Sequence, residues 1–279
     1  MNLQLFNENC LETLKRFPEN SVDSVVTDPP YGLGKEPDVV EVMKSWIETG
    51  FHEVKGSGFM GKEWDVFVPQ PLIWKEVLRV LKPGGHILCF SGTRTVDWMG
   101  MALRFAGFEI RDTMIYYKIN PIPRTHNRYE QYFEYMFVVS KGKPKTFNPI
   151  MIDKNYKSDR EKQGMGRNSD GTIKYVNNIN DITTKIKGNV WEYYTGGFHT
   201  TSDKVAYSHP ATFPEKLAQD HIMSWSNEND LVYDPFMGSG TTAKMCLLNK
   251  RRYIGSEISE EYYKISLERM KSVNYEYLF

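Results

Sequence analysis

The chain has 279 residues, with 35 Lys and Arg balancing 35 Asp and Glu, so its formal net charge is zero and a uniformly basic nucleic-acid binder is excluded. Apolar residues make up 40% and charged residues 25%, which is ordinary globular composition, and no apolar run approaches the ~20 residues that span a bilayer. Cys10, Cys89 and Cys246 are far apart and form no CxxC pair, the six histidines show no metal spacing, and Met1–Leu5 lacks a basic n-region and an apolar h-region. A metal-free, disulfide-free, cytoplasmic protein is therefore expected.

Leu3–Phe6 alternates and reads as a short strand. A helix with Leu11, Leu14 and Phe17 on one face follows and ends at Pro18-Glu19-Asn20. Ser21–Val26 is a β-branched run expected as a buried strand, which completes a strand–helix–strand start typical of a parallel sheet. From Gly32 to Gln70 there is little periodicity and five glycines interrupt it, which is expected to be a functional loop in which Lys62-Glu63-Trp64-Asp65 could approach a ligand. Pro71 opens a helix with Ile73, Val77, Leu78 and Leu81 at helical spacing, closed by Pro83-Gly84-Gly85. His86–Phe90 is a strand, and a helix from about Arg94 to Phe105 ends at Gly107. Glu109–Lys118 and Gln131–Ser140 read as two strands, paired antiparallel at one sheet edge.

Residues 141–201 are polar, rich in Asn, Gly and Lys, and weakly periodic, so they form a candidate insertion or small second domain between 1–140 and 202–279. Between Lys118 and Lys187 there are 14 Lys and Arg against 7 Asp and Glu, a local basic excess compatible with phosphate contacts. Tyr156, Tyr175, Trp191, Tyr193 and Tyr194 interleave with these cations, either as a contact surface or as the core of the small lobe. A helix from Pro214 carries Leu217, Ala218, Ile222 and Trp225. The strand Asp230–Asp234, a helix reaching Asn249, the strand Arg252–Glu257 and a helix from Ser259 to Met270 complete the chain.

Two stretches carry chemistry. Asp28-Pro29-Pro30-Tyr31 ends a strand, and its prolines supply no N–H and fix φ, so a carboxylate, rigid carbonyls and an aromatic ring are presented together. The C-terminal end of a strand in an open α/β sheet is where ligands bind. This set suits transfer to an exocyclic amine on a planar ring. Asp28 and the Pro29 carbonyl can accept its two N–H bonds and stabilise developing positive charge, while Tyr31 offers a stacking face. The second stretch, Asp234-Pro235-Phe236-Met237-Gly238-Ser239-Gly240-Thr241-Thr242, is a glycine-rich strand-to-helix turn in which Gly238 and Gly240 let backbone approach a ligand. It is neither a Walker A loop nor GxGxxG. Glu257 ends the next strand, 17 residues after Gly240, where an acid bonds ribose hydroxyls in nucleoside-binding units. A nucleoside with a carboxylate tail fits, and S-adenosylmethionine is such a molecule.

With these residues the chain resembles the DNA amino-methyltransferases that modify adenine N6 or cytosine N4, in their β arrangement, where the catalytic motif precedes the target-recognition region and the cofactor motif comes last. The resemblance covers nearly all of residues 1–273 and is weakest over 141–201. It implies an α/β fold: a circularly permuted Rossmann-like class I methyltransferase sheet with an inserted target-recognition region, Leu3–Phe6 beside Arg252–Glu257, and the strands ending at Asp28 and Asp234 side by side. It assigns catalysis to Asp28, Pro29, Pro30 and Tyr31. It assigns S-adenosylmethionine binding to Asn9, Cys10, Asp28, His209, Thr212, Asp234, Phe236, Gly238, Ser239, Gly240, Thr241, Thr242 and Glu257. His209–Pro214 resembles the segment at the cofactor's methionine end, and Arg79–Gly85 a structural turn. Glu8-Asn9 stands where the family usually has Gly-Asp, so the cofactor's adenine amino group would meet the Asn9 side-chain oxygen instead of a carboxylate.

The partner implied is double-stranded DNA, with the target base flipped out and no membrane. The family includes monomers and homodimers, and the sequence assigns no restriction endonuclease. Adenine N6 is favoured because cytosine-N4 members more often carry Ser at position 28. An RNA or protein amine is the second reading, although protein-glutamine relatives carry Asn there. A catalytically silent DNA-binding relative is the third.

Overall fold

The computed structural model describes residues 2–58, 61, 63–121, 123, 129–153, 164–176, 183–196, 199–209, 211–271 and 273. They divide into two compact units, residues 1–148 with 189–279 and residues 149–188.

The larger unit is built on one eight-stranded sheet. In chain order its elements are β1 (Leu3–Phe6), α1 (Cys10–Lys15), β2 (Val22–Thr27), α2 (Val39–Glu48), α3 (Pro71–Val80), β3 (Leu81–Ser91), α4 (Val96–Phe105), β4 (Glu109–Lys118) and β5 (Phe133–Ser140). In the smaller unit, β6 (Met151–Asp153) pairs with β9 (Thr184–Ile186), and β7 (Gly164–Arg167) with β8 (Ile173–Val176), both antiparallel. The larger unit resumes with β10 (Val190–Tyr193), α5 (Glu215–Trp225), β11 (Leu231–Asp234), α6 (Thr241–Leu248), β12 (Arg252–Ser256) and α7 (Glu260–Lys271).

The sheet order is β1-β12-β11-β2-β3-β5-β4-β10, and only β5 runs against its neighbours. β1 pairs with β12, and β11 lies beside β2. The chain leaves β2 toward β3 and leaves β11 toward β12, so the strand order reverses between β2 and β11. That is a topological switch point, the place where an open α/β sheet binds ligands. β2 and β3 are buried almost throughout, as befits strands covered on both faces.

The structure differs from the sequence reading in four places. Val39–Glu48 forms α2, not loop. Asp38 caps it, accepting N–H bonds from Val40 at 2.9 Å and Glu41 at 3.0 Å. Val42 and Trp46 are buried and Met43 packs partly buried against the core, all on one helical face, while Val39, Val40 and Ile47 stay exposed. That spacing, together with Asp38-x-x-Glu41, is the signal the sequence offers. Second, α3 ends at Val80 and Leu81 is already extended, because Lys141 Nζ satisfies the freed carbonyls of Leu78 at 2.8 Å and Arg79 at 3.3 Å. Third, β4 is not the sheet edge. Its outer side pairs in parallel with β10, through bonds such as Ile115 N–H to the Asn189 carbonyl at 2.8 Å.

Fourth, and for that reason, the separate compact unit is 149–188, shorter than the 141–201 expected from composition. Trp191 and Tyr193 belong to the core of the larger unit. Trp191 stacks on His221 at 4.4 Å, and the Tyr193 hydroxyl donates to Asp220 at 2.6 Å. Tyr194 is exposed. Tyr156 and Lys62 lie outside the described residues.

Candidate active site

β2 and β11 end side by side, and the two motifs are joined there. The Thr27 hydroxyl, on the last residue of β2, donates to Asp234 Oδ1 at 2.7 Å, and the Phe236 N–H donates to the same oxygen at 3.1 Å. Asp234 therefore sits under the glycine turn as a buried bracket. Burial pushes its carboxyl up to about 6, opposed by these hydrogen bonds.

Above it opens a cavity of about 710 Å³. Asn9, Cys10, Asp28, Pro29, Pro30, Tyr31, His209, Thr212, Phe236, Gly238, Ser239, Thr241 and Glu257 line it, which brings together thirteen of the expected site residues. Asp234, Gly240 and Thr242 do not. Gly240 has φ +82°, and a Cβ there would meet Ser266 of α7 at 3.1 Å, so the packing of α7 requires a glycine here. Thr242 is buried, and its hydroxyl lies 3.4 Å from the Val26 carbonyl.

Gly238 has the geometry of a cradle. Its φ is +52°, and its N–H donates to Glu257 Oε2 at 2.8 Å. Glu257 Oε1 takes the Ser259 N–H at 2.8 Å, which leaves each oxygen a further lone pair toward the cavity. A Cβ on Gly238 would lie 3.2 Å from His209 Nε2. Gly238→Ala is therefore expected to cost about 1–2 kcal/mol of stability in denaturant unfolding and to weaken binding of S-adenosylhomocysteine measured by calorimetry. Binding and stability equal to the unsubstituted protein would remove Gly238 from the cradle.

Asn9 caps α1, and its Oδ1 accepts the Leu11 N–H at 2.9 Å. The same oxygen keeps one lone pair for a ligand. Cys10 is buried beside it, and burial pushes its thiol up to about 12, so it is an uncharged wall and not a nucleophile. His209 packs against the Tyr262 ring at 4.2 Å, and Tyr262 packs edge-on to Trp64 at 6.2 Å.

Asp28 is the exceptional group. Its Oδ1 is buried with no hydrogen-bond partner. Burial, then the nearby charge of Glu134, pushes its carboxyl up to about 8. An acid raised from about 4 in the unfolded chain to about 8 when folded opposes folding increasingly as pH rises between those values. Asp28→Asn removes that titration. The variant is thus expected to gain thermal stability over the parent at pH 8 and to show little difference at pH 4, as read by melting curves at both pH values. A gain equal at both would exclude the raised carboxyl.

The turn carrying Asp28 is held from behind. Gly32 has φ +68° with the Phe67 and Val68 backbone within 3 Å of where a Cβ would be, and its N–H donates to Asp65 at 3.0 Å. Leu33 N–H donates to the other Asp65 oxygen at 3.3 Å, and Thr95 Oγ1 to the Tyr31 carbonyl at 2.5 Å. Trp64 and Asp65 do line the cavity, as the sequence suggested. Sequence reasoning missed Tyr116, Lys118 and Glu134, which also line it from β4 and β5. The one available signal was a charged residue inside the otherwise apolar run Phe133–Val139.

A switch point that carries both a glycine turn with its strand-end acid and an amine-accepting carboxylate is the architecture of Rossmann-like methyltransferases. Comparison with known proteins narrows this to one family. Residues 22–268 match the family model described as DNA methylase, and the chain belongs to that family. It is 46% identical over 210 residues to the orphan methyltransferase M.BamHII of Bacillus amyloliquefaciens, covering 71% of this chain and 79% of that protein. It is 26% identical over 276 residues to the DNA adenine methyltransferase YhdJ of Escherichia coli K12, covering 95% and 82%. Among solved structures, the M1.HpyAVI–SAM complex superposes with a TM-score of 0.57 at 24% identity, covering 96% of this chain and 99% of that one. The chain is thus an S-adenosylmethionine-dependent DNA methyltransferase with a class I methyltransferase sheet. The cavity suits this cofactor: Gly238 has the geometry of a cradle, Glu257 is the strand-end acid, and Asp28 Oδ1 is an unpartnered acceptor in the same space.

Proposed function

We propose that the protein methylates the N6 amine of an adenine flipped out of duplex DNA, with Asp28, Pro29, Pro30 and Tyr31 gripping the base. The observation that carries this reading is the buried, unpartnered Asp28 oxygen at the end of β2, in the same cavity as the glycine turn. A buried acceptor of this kind costs free energy until a donor fills it, and an exocyclic N–H is such a donor. The incoming N–H also favours the ionised carboxylate, so substrate binding draws Asp28 back toward its charged state. The Pro29 carbonyl takes the second N–H and Tyr31 stacks on the ring. Together they draw the amine out of conjugation and stabilise the positive charge that develops on it.

S-adenosylmethionine, when bound, supplies an activated methyl group. Asn9, Cys10, His209, Thr212, Phe236, Gly238, Ser239, Thr241 and Glu257 would hold it, while Asp234, Gly240 and Thr242 act on the shape of the turn beneath. The region 141–201, with the compact unit 149–188 inside it, would read the sequence around the base, and its cations would contact phosphates. Adenine N6 is supported by Asp at position 28 and by the name of the E. coli relative.

Transfer of a labelled methyl group from S-adenosylmethionine to unmethylated duplex DNA, followed by digestion to nucleosides, tests this. Label is expected in N6-methyladenine. Label in N4-methylcytosine would overturn the base assignment, and no label in DNA would overturn the substrate.

A further inference from the structure

Four polar side chains from three elements meet on the Asp28 side of the cavity. The Tyr31 hydroxyl donates to Glu134 Oε2 at 3.0 Å and also faces Asp28. Glu134 is paired through its other oxygen with Lys118, and both side chains are largely withdrawn from solvent, at 16% and 21% exposure. Their placement follows from sheet register. Tyr116 of β4 lies directly opposite Glu134 of β5, and Lys118 is two residues further along the same face, with its Nζ 5.8 Å from the Tyr116 ring. Nothing in the sheet itself requires a carboxylate here. The residues that follow Glu134 on its face, Met136 and Val138, are apolar and buried.

We propose that Glu134 is a positioning residue for methyl transfer: by accepting the Tyr31 hydroxyl and pairing with Lys118, it fixes the stacking ring and sets a second carboxylate against Asp28. This rests on the reading that Asp28 and Tyr31 hold the target amine. The Tyr31 hydroxyl interacts with both carboxyl groups, and without Glu134 it is left to Asp28 alone, the acceptor the amine needs. Glu134 therefore draws the hydroxyl away from Asp28. Its charge also acts on Asp28 directly. The groups that face Asp28 are Glu134 of β5, Lys118 and Tyr116 of β4, Asp234 of β11, Cys89 of β3 and Tyr31 of its own turn. Glu134 and Asp234 oppose its ionisation and Lys118 favours it, with Glu134 the stronger of the two carboxylates. Removing the Glu134 charge while Lys118 remains makes Asp28 ionise at lower pH.

The test compares Glu134→Gln, Glu134→Ala and Tyr31→Phe with the parent enzyme. Glu134→Gln keeps an oxygen for the Tyr31 hydroxyl but no charge. It is expected to lose less in kcat than Glu134→Ala, with the acid limb of kcat/KM for DNA moved about one pH unit lower. Glu134→Ala is expected to lose about 10- to 100-fold in kcat, with S-adenosylhomocysteine affinity within about twofold of the parent. The double variant Glu134→Ala/Tyr31→Phe should be no slower than the slower single variant, because both remove one hydrogen bond. An infrared titration follows the Asp28 carboxyl independently of activity, its band identified by loss in Asp28→Asn. Its midpoint is expected to fall in Glu134→Gln. An unmoved midpoint and acid limb, or Glu134→Ala at the parent's kcat, would overturn the proposal while the parent still methylates DNA. A parent that transfers no methyl to DNA would overturn the underlying reading, and this one with it.

Discussion

Asp28→Ala is expected to lower single-turnover methyl transfer by about two to three orders of magnitude, the usual cost of deleting one preorganised charge stabiliser. S-adenosylhomocysteine binding and the melting temperature should hold or improve. The reason for the split is geometric. Asp28 Oδ1 makes no hydrogen bond within the protein, the Tyr31 hydroxyl beside its carboxyl keeps Glu134 as an acceptor, and burial and the Glu134 charge already make the ionised form unfavourable in the folded protein. The turn around it is held by other groups, namely Asp65 on the Gly32 and Leu33 N–H groups and Thr95 on the Tyr31 carbonyl. Asp28→Asn, which keeps an acceptor oxygen but no charge, should fall between alanine and the parent. Transfer by Asp28→Ala within tenfold of the parent would exclude Asp28 as the acceptor of the amine.

The largest stability effect is expected at Arg269, a residue no motif points to. Its side chain is fully buried. It donates to Asp203 Oδ2 at 2.9 Å, Glu215 Oε1 at 2.6 Å and Thr241 Oγ1 at 2.9 Å, and to the carbonyl and hydroxyl of Ser239, both at 3.1 Å. Lys244 Nζ joins the same two carboxylates, each at 2.8 Å. Two cations and two anions thus form a closed network behind the glycine turn, and Arg269 ties α7 to that turn through Ser239.

Arg269→Met leaves two carboxylates sharing one lysine in a buried site, which is expected to cost about 3–5 kcal/mol in denaturant unfolding. The pH dependence gives a second reading. Burial alone would raise the Asp203 carboxyl, but its bonds to Lys244 and Arg269 outweigh that and hold it below the ordinary value. A depressed acid stabilises the fold above its unfolded pKa, and that stability is lost as pH falls through the folded one. The penalty of Arg269→Met should therefore shrink as pH falls below the ordinary carboxylate range. A loss under 1 kcal/mol at neutral pH would mean that Lys244 alone satisfies both acids.

The motifs were legible because each depends on residue chemistry that few other contexts demand. Asp28-Pro29-Pro30 cannot continue a ladder, so the strand had to end with its carboxylate at the sheet rim. Gly238 and Gly240 both have positive φ, but only Gly238 faces the cavity, and composition could not separate the two. α2 is hard to read because glycines interrupt the stretch around it, although Val42, Met43 and Trp46 keep helical spacing. The compact unit is shorter than the polar stretch 141–201 because Val190–Tyr193 is short, flanked by polar residues, and acquires its meaning only by pairing with β4.

The sequence by itself determined the order of the two turns, the parallel character of the core and the acid at the end of β12. Those features rest on local periodicity and on the backbone restrictions of proline and glycine, which act within a few residues. Only the tertiary structure decided that Thr27 bonds Asp234 across the switch point, that Glu134 and Lys118 stand beside Asp28, and that Arg269 closes a buried network under Ser239. Each of these pairs residues 30 or more positions apart in the chain, except Lys118 with Glu134, which lie 16 apart on paired strands. Strand register and helix packing set such meetings, and both are cooperative properties of the whole fold.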